Sequence, residues 1–422
     1  MKLWLKNKLH VVLILAMCLV AAFAFAACGE TTGGGTNGGE TPAPTPTPDP
    51  EPTPEPTPAV VTISVVPTYA ELVVGETVRI VPTVENSTET VTYKVEPAAV
   101  ATVAADGTVT AVSAGAATVT ATVAGKSATA ALTVVNGFNV DETNKAITIY
   151  NADGLNMLNA RVNGETATDY SGYAIKIKRD IDMGNTAWAP LDGYKLAGAK
   201  FDGENHTIKG LTITETRNDV NTWGTTSNVS GFISSTSVLT MKDITFEDIE
   251  MDTTAKYSAL VVGYLEGIGT FTNVNIKNGS IKSASSSGTG CFIGYINNSI
   301  KNGDEKTMST LIITNCTLDN VTVESARSAG FVGRIHADAV FNQTDVPEGK
   351  WGATIANNVV MNSTFKCTAA GADPFPAHWA ANYPKASVGN VLDSANKVSN
   401  NKYFFNGVEY TYADGAYTEA KA

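Results

Sequence analysis

The feature that most restricts the fold is an eleven-residue pattern that recurs in the C-terminal half of the chain. It reads MKDITFEDIEM at 241–251, FTNVNIKNGSI at 271–281, ITNCTLDNVTV at 313–323 and IANNVVMNSTF at 355–365. Apolar residues occupy the first, sixth and eleventh places of each repeat. Because one short repeat cannot bury its own apolar face, the pattern predicts repeats that stack on one another around a continuous core.

Asn or Asp recurs at two further places of the same pattern. The third place holds Asp243, Asn273, Asn315 and Asn357, and the eighth holds Asp248, Asn278, Asn320 and Asn362. These side chains tolerate left-handed backbone and bond to nearby peptide groups. We therefore expect polar ladders along the stack. A weaker last repeat, VSNNKYFF at 398–405, places Asn400 at the third position.

A second motif alternates with the first. It reads GFISS from 231, VVGYL from 261, FIGYI from 292, FVGRI from 331 and VGNV from 388, with recurrent glycines at Gly263, Gly294, Gly333 and Gly389. Recurrent glycine indicates a tight corner or close packing of two backbones. Two motifs in fixed order predict a right-handed parallel β-helix, and a multi-sheet sandwich is the alternative.

The segments AGFVGRI (329–335) and TGCFIGYI (289–296), together with FDGENHTIKGLTI (201–213), resemble the β-helical domains that carry GLUG motifs in bacterial surface proteins. The resemblance implies one β-helix domain over 137–412. At its start, Leu155, Leu158 and Val162 lie on one helical face, with Asp153 as a candidate N-cap. A short N-terminal helix there would cover the open end of the core.

Residues 59–135 have a different character. Short β-rich runs are separated by turn signals, which favours a small β-sandwich with Tyr93 between the sheets. LVVGETVRI (72–80) and VATVAADGTVTAVSAGAATVTATV (100–123) resemble the bacterial immunoglobulin-like domain of group 2. The resemblance implies a spacer or adhesin module without catalysis. The predicted fold class is therefore all-β, an Ig-like β-sandwich followed by the β-helix.

The N-terminal segment has the organisation of an export signal. Basic residues precede an apolar run, and FAFAACGE follows it. The Cys after Phe25-Ala26-Ala27 resembles a bacterial lipobox, which implies a signal peptide at 1–27 and lipid attachment at Cys28. A single membrane span and a cysteine in a plain secretory signal are the alternatives. Residues 28–58, first Gly-rich and then Pro/Thr-rich, are predicted to be a tether that lacks a fold.

Composition narrows the partners. The formal net charge is −12, and the absence of a basic patch argues against nucleic acid. Charged residues make up 17% of the chain, a low share that suits an all-β protein with many turns. Cys291, Cys316 and Cys367 lie in apolar contexts, so we expect free, buried thiols.

Asp202, Glu204 and His206 alternate along one stretch and would share a face of a straight strand. Aligning 208–213 with 241–246 instead makes 202–205 a turn, broken at Gly203, before the first full strand of the ladder. Asp180 and Asp182, and Arg334 with His336 and Asp338, are the other acid–base candidates. None of these sets forms the grouped carboxylates of a β-helix enzyme, so we predict no catalytic residue, no metal site and no cofactor.

Insertions are better candidates for recognition. Two long ones carry aromatic residues that stack on sugar rings or supply contact area, namely Trp351, Phe375, His378, Trp379 and Tyr383. The alternative role of these residues is to cap the core. We predict that the protein is a lipid-anchored, non-catalytic surface protein. Its predicted ligand is either a glycan or another protein, from the host or from a cell surface. A β-helix polysaccharide lyase or hydrolase, and a structural cell-envelope protein, are the alternatives. Residues 413–422 are predicted to be a C-terminal tail.

Overall fold

The computed structural model describes residues 59–220, 225–284, 288–296, 310–326, 328–335, 352–368, 397–413 and 416–420. In these ranges the regular structure is β-strand, apart from one α-helix and one 3-10 helix. The predicted all-β class is confirmed.

The first folded region consists of nine strands that form small sheets. They are β1 (Thr62–Val66), β2 (Tyr69–Val73), β3 (Thr77–Arg79), β4 (Val81–Glu85), β5 (Thr92–Glu96), β6 (Ala101–Val103), β7 (Thr108–Ala111), β8 (Gly115–Val123) and β9 (Lys126–Val135). One sheet has the order β2-β9-β8-β5, a second β3-β7-β6, and a third pairs β1 with β4. Most neighbours are antiparallel, as expected for strands joined by short turns.

Alternate residues of these strands form one apolar core. Ile80, Val109 and Val119 are almost fully buried in it. Tyr93 packs against this core, and its hydroxyl lies 3.4 Å from the carbonyl oxygen of Ile80. Gly107 has φ +84°, and any side chain there would meet the Tyr93 ring and the Ile80 carbonyl. The Asp106-Gly107 turn is thus fixed by both its conformation and its close packing.

The second region begins with two strands and the α-helix. In the rest of its described residues the regular elements are strands, apart from the 3-10 helix Gly193–Leu196. Its elements are β10 (Phe138–Asp141), β11 (Ala146–Ile149), α1 (Ala152–Asn163), β12 (Ala174–Ile177), β13 (Ile181–Ala187), β14 (Ala199–Ile213), β15 (Arg217–Val220), β16 (Thr226–Ser230), β17 (Ile233–Glu247), β18 (Glu250–Thr253), β19 (Tyr257–Ala259), β20 (Val262–Lys277), β21 (Ser280–Ser283), β22 (Gly288–Gly290), β23 (Ile293–Ile296), β24 (Thr310–Thr314), β25 (Thr317–Asp319), β26 (Thr322–Ser325), β27 (Ser328–Ala329), β28 (Val332–Ile335), β29 (Gly352–Ala356), β30 (Val359–Met361), β31 (Thr364–Cys367), β32 (Lys397–Ser399), β33 (Lys402–Phe405), β34 (Val408–Ala413) and β35 (Ala416–Glu419).

Successive repeats pair in parallel, and equivalent apolar residues stack in columns. The column through the first place of the pattern contains Ile147, Ile175, Phe201, Met241, Phe271, Ile313 and Ile355. The sixth place continues as Phe246, Ile276, Leu318 and Val360, and the eleventh as Met251, Ile281, Val323 and Phe365. The predicted alignment of the four repeats is confirmed. Each fully buried side chain of this kind contributes about 1.5–3 kcal/mol.

The alignment of 208–213 with 241–246 is wrong. Ile208 pairs with Phe246, and it is Phe201 that pairs with Met241. Two extra residues between Asp202 and His206 shift the register, so the first place of the pattern is occupied by Phe201, which lies before these extra residues. The parallel stack also starts earlier than predicted, at Ile147.

The polar ladders occupy the corners between strands. Every described Asn or Asp at the third and eighth places has φ between 51° and 58°. At the eighth place the amide nitrogen of Asn278 lies 3.1 Å from Asp248 Oδ1, and that of Asn320 lies 2.9 Å from Asn278 Oδ1. The predicted ladders are confirmed. The predicted place of Asn400 in the third-place ladder is wrong, because its amide bonds to Asn362 and it therefore continues the eighth place.

The glycine motif marks close packing between two sheets. The strands of the sheet β15-β16-β19-β22-β27 alternate along the chain with strands of the large sheet and lie against them. A Cβ at Gly263 would lie 2.2 Å from a methyl group of Val229, and one at Gly294 would lie 2.6 Å from the Ser258 nitrogen. Gly333 approaches Thr289 in the same way. The predicted close packing is confirmed at these three glycines, and Gly389 lies outside the described residues.

Both ends of the described stack carry distinct elements. In α1, Leu155, Leu158 and Val162 are buried as predicted, but the N-cap is Asn151, whose side chain accepts from the Gly154 N–H. Asp153 lies in the first turn instead. At the other end, β34 and β35 continue from β33 as antiparallel neighbours. The segment 413–422, predicted to be a tail, therefore contributes a paired strand, because Thr411 and Thr418 face each other across the hairpin.

Candidate functional site

Asp202, Glu204 and His206 do not form a common site. Asp202 pairs with Lys242 at 2.8 Å, Glu204 pairs with Lys178 at 2.7 Å, and the Nδ1 atom of His206 lies 3.2 Å from Asp180 Oδ1. The three side chains thus point to three different partners, namely Lys242 in β17 and two residues of the segment between β12 and β13. They lie inside β14, which continues through this stretch rather than starting after it.

A corner within β14 separates the three side chains. Glu204 and Asn205 have φ of 48° and 68°, so the left-handed bend lies at these residues rather than at Gly203. Gly203 is required for another reason, because a Cβ there would lie 2.3 Å from the Asp243 carbonyl oxygen of the next repeat. The expected turn is present, but close packing, and not the turn itself, demands the glycine.

The carboxylates of this stretch favour the ionised form. Burial alone would raise the pKa of Asp202, but the ammonium of Lys242 and the Glu204 N–H lower it. The hydrogen bond from Lys178 lowers the pKa of Glu204, and the Thr207 N–H, with His206, lowers that of Asp180. A general acid at neutral pH needs a carboxyl whose pKa is raised. These groups are suited to ion pairs instead.

The other sequence candidates also have structural partners. Asp182 pairs with Lys209 on the surface. Asp243 and Asp248 occupy left-handed corners, where they accept from the amides of Asn273 and Asn278. Arg334 lies over the ring of Tyr295, with 5.6 Å from its guanidinium carbon to the ring centroid. Across the described part of the chain, no group of three or more His, Cys, Asp or Glu is placed to hold a metal ion.

Several predicted functional residues lie outside the described ranges. They are the lipid-attachment candidate Cys28, the acid–base candidates His336 and Asp338, and the ligand-binding candidates Trp351, Phe375, His378, Trp379 and Tyr383. Their roles stay predictions.

The three cysteines of the repeat region are free and buried, as predicted. Burial raises the pKa of the Cys316 thiol to about 12 and also raises that of Cys291. Cys316 accepts a hydrogen bond from the Val274 N–H of the preceding repeat. Thiols that remain protonated are poor nucleophiles, so Cys291 and Cys316 have a packing role.

Sequence reasoning missed a cluster of tyrosines between the two sheets. Tyr257, Tyr264 and Tyr295 are buried together with Val229, apart from the main core. The rings of Tyr257 and Tyr295 stack with centroids 4.4 Å apart, and those of Tyr264 and Tyr295 are nearly parallel at 5.4 Å. The signal was available, since Tyr264 and Tyr295 occupy the same place in the VVGYL and FIGYI motifs, next to the packed glycines.

The first folded region also has a recognisable family. Residues 59–134 match the bacterial Ig-like domain (group 2). The predicted Ig-like domain is thereby confirmed, and a domain of this family suggests a role at the cell surface or in adhesion. Domains of this kind are typical of extracellular or surface proteins of bacteria.

A comparison with curated proteins gave no match. Among the helices of the described residues, none has the length and apolarity needed to cross a membrane.

Proposed function

We propose that the region after the Ig-like domain is a right-handed parallel β-helix of the GLUG-motif type. Its support is the unbroken column from Ile147 to Ile355, in which each residue pairs in parallel with its equivalent one repeat away. Residues Asp243 and Asn273 turn the chain at the same place in consecutive repeats. A chain that turns at fixed places and pairs with its own next repeat forms coils that stack.

We propose further that the protein is a lipid-anchored surface protein of bacteria that binds a glycan or another protein and is not an enzyme. The Ig-like domain acts as a spacer, the tether at 28–58 extends from Cys28, and the repeat region carries the recognition surface. The observation that carries the non-catalytic assignment is the separate pairing of Asp202, Glu204 and His206. An acid–base site needs such groups to converge on one substrate.

The anchor is tested by fractionating cells that express the full chain or the Cys28→Ala variant. The lipid is the only proposed link to the membrane, so the variant should be released to the medium. Unchanged membrane retention of the variant would disprove lipid anchoring.

Recognition is tested with the released Cys28→Ala chain on arrays of glycans and of matrix proteins. We expect saturable binding to a ligand on one of these arrays. Absence of binding to every array member would count against recognition and would favour a structural role in the envelope.

A polysaccharide lyase or hydrolase is the second candidate, because His206 and Asp180 form a partly exposed imidazole–carboxylate pair. Incubation with acidic polysaccharides, followed by detection of reducing ends and unsaturated products, tests it. We expect no product. The enzymatic function would be preferred to the binding function if product forms, if His206→Ala abolishes it, and if Asp182→Asn leaves it unchanged.

A further inference from the structure

The chain passes from the Ig-like domain to the repeat region through only two residues, Asn136 and Gly137, between β9 and β10. The carbonyl oxygen of Gly137 accepts from the Tyr150 N–H at 2.9 Å. A Cβ at Gly154, in the first turn of α1, would lie 2.0 Å from the same carbonyl oxygen. One at Gly137 would lie 2.3 Å from the side-chain oxygen of Asn151. The backbone of the connection is thus fastened to the start of α1.

A second contact between the two regions lies away from this connection. A single fastening leaves two domains free to rotate about it, and relative motion is the usual behaviour of domains joined by a small interface. The second contact is made by Arg179, which lies between β12 and β13 of the repeat region. Two separate fastenings remove the freedom that one alone would leave.

The guanidinium of Arg179 makes three contacts. Its Nη1 atom donates to Glu76 Oε2 at 2.8 Å and lies 3.1 Å from Glu76 Oε1. Its Nη2 atom donates to the backbone carbonyl oxygen of Glu71 at 2.8 Å. The third contact lies within the repeat region, where the guanidinium carbon is 5.7 Å from the centroid of the Tyr150 ring. A planar fork of donors that also stacks on a ring suits this arrangement, and the compact ammonium of lysine lacks both properties.

Both partners of this contact are positioned by their own regions. In the Ig-like domain, Glu76 Oε2 also accepts from the Val73 N–H at 2.8 Å. In the repeat region, the N–H of Lys178 donates to the Ile149 carbonyl oxygen at 2.8 Å, which fixes the backbone next to Arg179. Partners that are already positioned lose less conformational freedom when they bond.

A weak ion pair is sufficient to hold an orientation. A partly exposed pair adds little to the free energy of unfolding. To fix the orientation of a domain, it only has to outweigh the other orientations that a two-residue connection permits. Because the connection is short, the partners stay close to each other and meet at a high effective concentration.

We propose that Arg179 is a latch that holds the Ig-like domain in one orientation on the start of the repeat region, with the connection at Gly137 as the pivot. Tyr150 takes part in both fastenings, because its N–H bonds to Gly137 and its ring lies against Arg179. In the folded state the Ig-like domain and the start of the stack therefore move as one body. The inference concerns this joint alone and does not depend on the anchor or the ligand proposed above.

The test measures the distance between two nitroxide labels by pulsed electron spin resonance, on the full chain that carries Cys28→Ala. The labels are attached at Thr83→Cys in the Ig-like domain and at Lys282→Cys in the stack, both at exposed positions. The three thiols of the repeat region are buried, and the chain without the two added cysteines gives the labelling background. We expect one narrow distance distribution.

Variants identify what holds the orientation. Arg179→Ala should raise the share of molecules outside the main distance by about twofold to fivefold, the range expected from the loss of an exposed ion pair. Arg179→Lys keeps the charge but loses the fork and the ring contact, so its effect should lie between those of Arg179→Ala and the native residue. Arg79→Ala is the matched control, because this exposed arginine bonds within its own domain, to the Asp106 carbonyl oxygen, and the distribution should stay unchanged.

Three results would overturn the proposal. One is a broad distribution in the chain with Arg179 intact, which would mean that the domains rotate about the connection. Another is a distribution that Arg179→Ala leaves equally narrow, which would assign the fixed orientation to the connection at Gly137 alone. The third is equal broadening by Arg79→Ala. Circular dichroism of each variant checks that the chain stays folded, so that broadening reports a change of orientation and not unfolding.

Discussion

The Ig-like domain and the repeat region are both built from short β-strands, yet they bury their cores by different routes. In the Ig-like domain the neighbours are mostly antiparallel, as where Val119 of β8 faces Ala130 of β9. In the repeat region Met241 pairs with Phe271, its own equivalent one repeat later. The first core closes on itself, whereas the second is extended by each added repeat.

This difference determines how each region responds to damage. A closed sandwich unfolds as one unit, since every strand contributes to the same small core. A stack of repeats derives its stability from each repeat and its nearest neighbours. A lost contact in the Ig-like domain should therefore affect that whole domain, while a lost contact in the stack should be felt most by the adjoining repeats.

The largest effect is expected for Phe271→Ala, in the middle of the first column. The ring is fully buried and packs edge to face on Phe292. Its removal should lower the free energy of unfolding by about 3–5 kcal/mol. Urea unfolding followed by circular dichroism measures the change. Thr270→Ala on the same strand is the control, expected within about 0.5 kcal/mol; equal losses for both variants would contradict the column as the source of stability.

The next effect is expected for Ile80→Ala in the core of the Ig-like domain, where Ile80 is 1% exposed. The loss should be about 2–5 kcal/mol and confined to this domain. Hydrogen exchange should show weaker protection throughout β1 to β9 and unchanged protection in β17 and β20. A uniform loss across both regions would mean that they unfold as one unit and would remove the contrast drawn above.

A smaller effect is expected at the corners of the stack. Asn278 has φ 53° and bonds to both Asp248 and Asn320. Asn278→Ala should cost about 1–3 kcal/mol, because it loses these bonds and strains the left-handed backbone. Asn278→Gly loses the same bonds without the strain and should cost less. Thermal unfolding of both variants gives the comparison, and equal costs would show that strain is unimportant at the corner.

The side chain of Arg179 connects the repeat region to the Ig-like domain, and the smallest effect is expected for its removal in Arg179→Ala. Arg179 lies 2.8 Å from Glu76 Oε2 and 2.8 Å from the Glu71 carbonyl oxygen, with its guanidinium over Tyr150. Because this pair is partly exposed, we expect a loss of at most about 1 kcal/mol, reduced further by salt. Unfolding at low and high ionic strength measures it. A salt-independent loss would point to packing on Tyr150 instead.

The same pair gives a pH dependence. Burial would raise the pKa of Glu76, but the Val73 N–H and Arg179 outweigh it and lower the pKa. A carboxyl whose pKa is lowered by folding stabilises the fold above its ordinary pKa, and this contribution is lost as the pH falls through the lowered value. Glu76→Gln should weaken the dependence of the free energy of unfolding on pH in that acidic range. Near neutral pH it should leave the pH dependence unchanged.

Much of the repeat region was predictable because its information is local. The spacing of apolar residues identified the columns through Met241 and Phe271, and the recurring Asn residues identified the corners. The register of the first strands was not predictable in the same way. Because β14 contains two extra residues, Ile208 pairs with Phe246 and not with Met241, the partner that the sequence alignment predicted. No periodic signal in the sequence marks such an insertion.

The candidate sites were less predictable than the fold. Spacing alone would put Asp202, Glu204 and His206 on one face of a straight strand, and the sequence predicted a turn that separates them. It did not predict their partners, because Lys242 lies in the next repeat and Asp180 lies before β13 in the preceding one. The corner at Glu204 and Asn205 then turns the three apart. Sequence distance along a strand predicts a shared face only while the strand stays straight.

By itself, the sequence determined the all-β class, the Ig-like domain, the stacking repeats and the left-handed corners. Each of these features depends on a short sequence pattern that directly sets the conformation of the backbone. Only the tertiary structure decided which charged groups meet. Arg217 joins Asp192 to Asp219, although 25 residues separate Arg217 from Asp192 along the chain. The packing of one sheet on another sets such meetings, and it depends on insertions and close backbone contacts that follow no period.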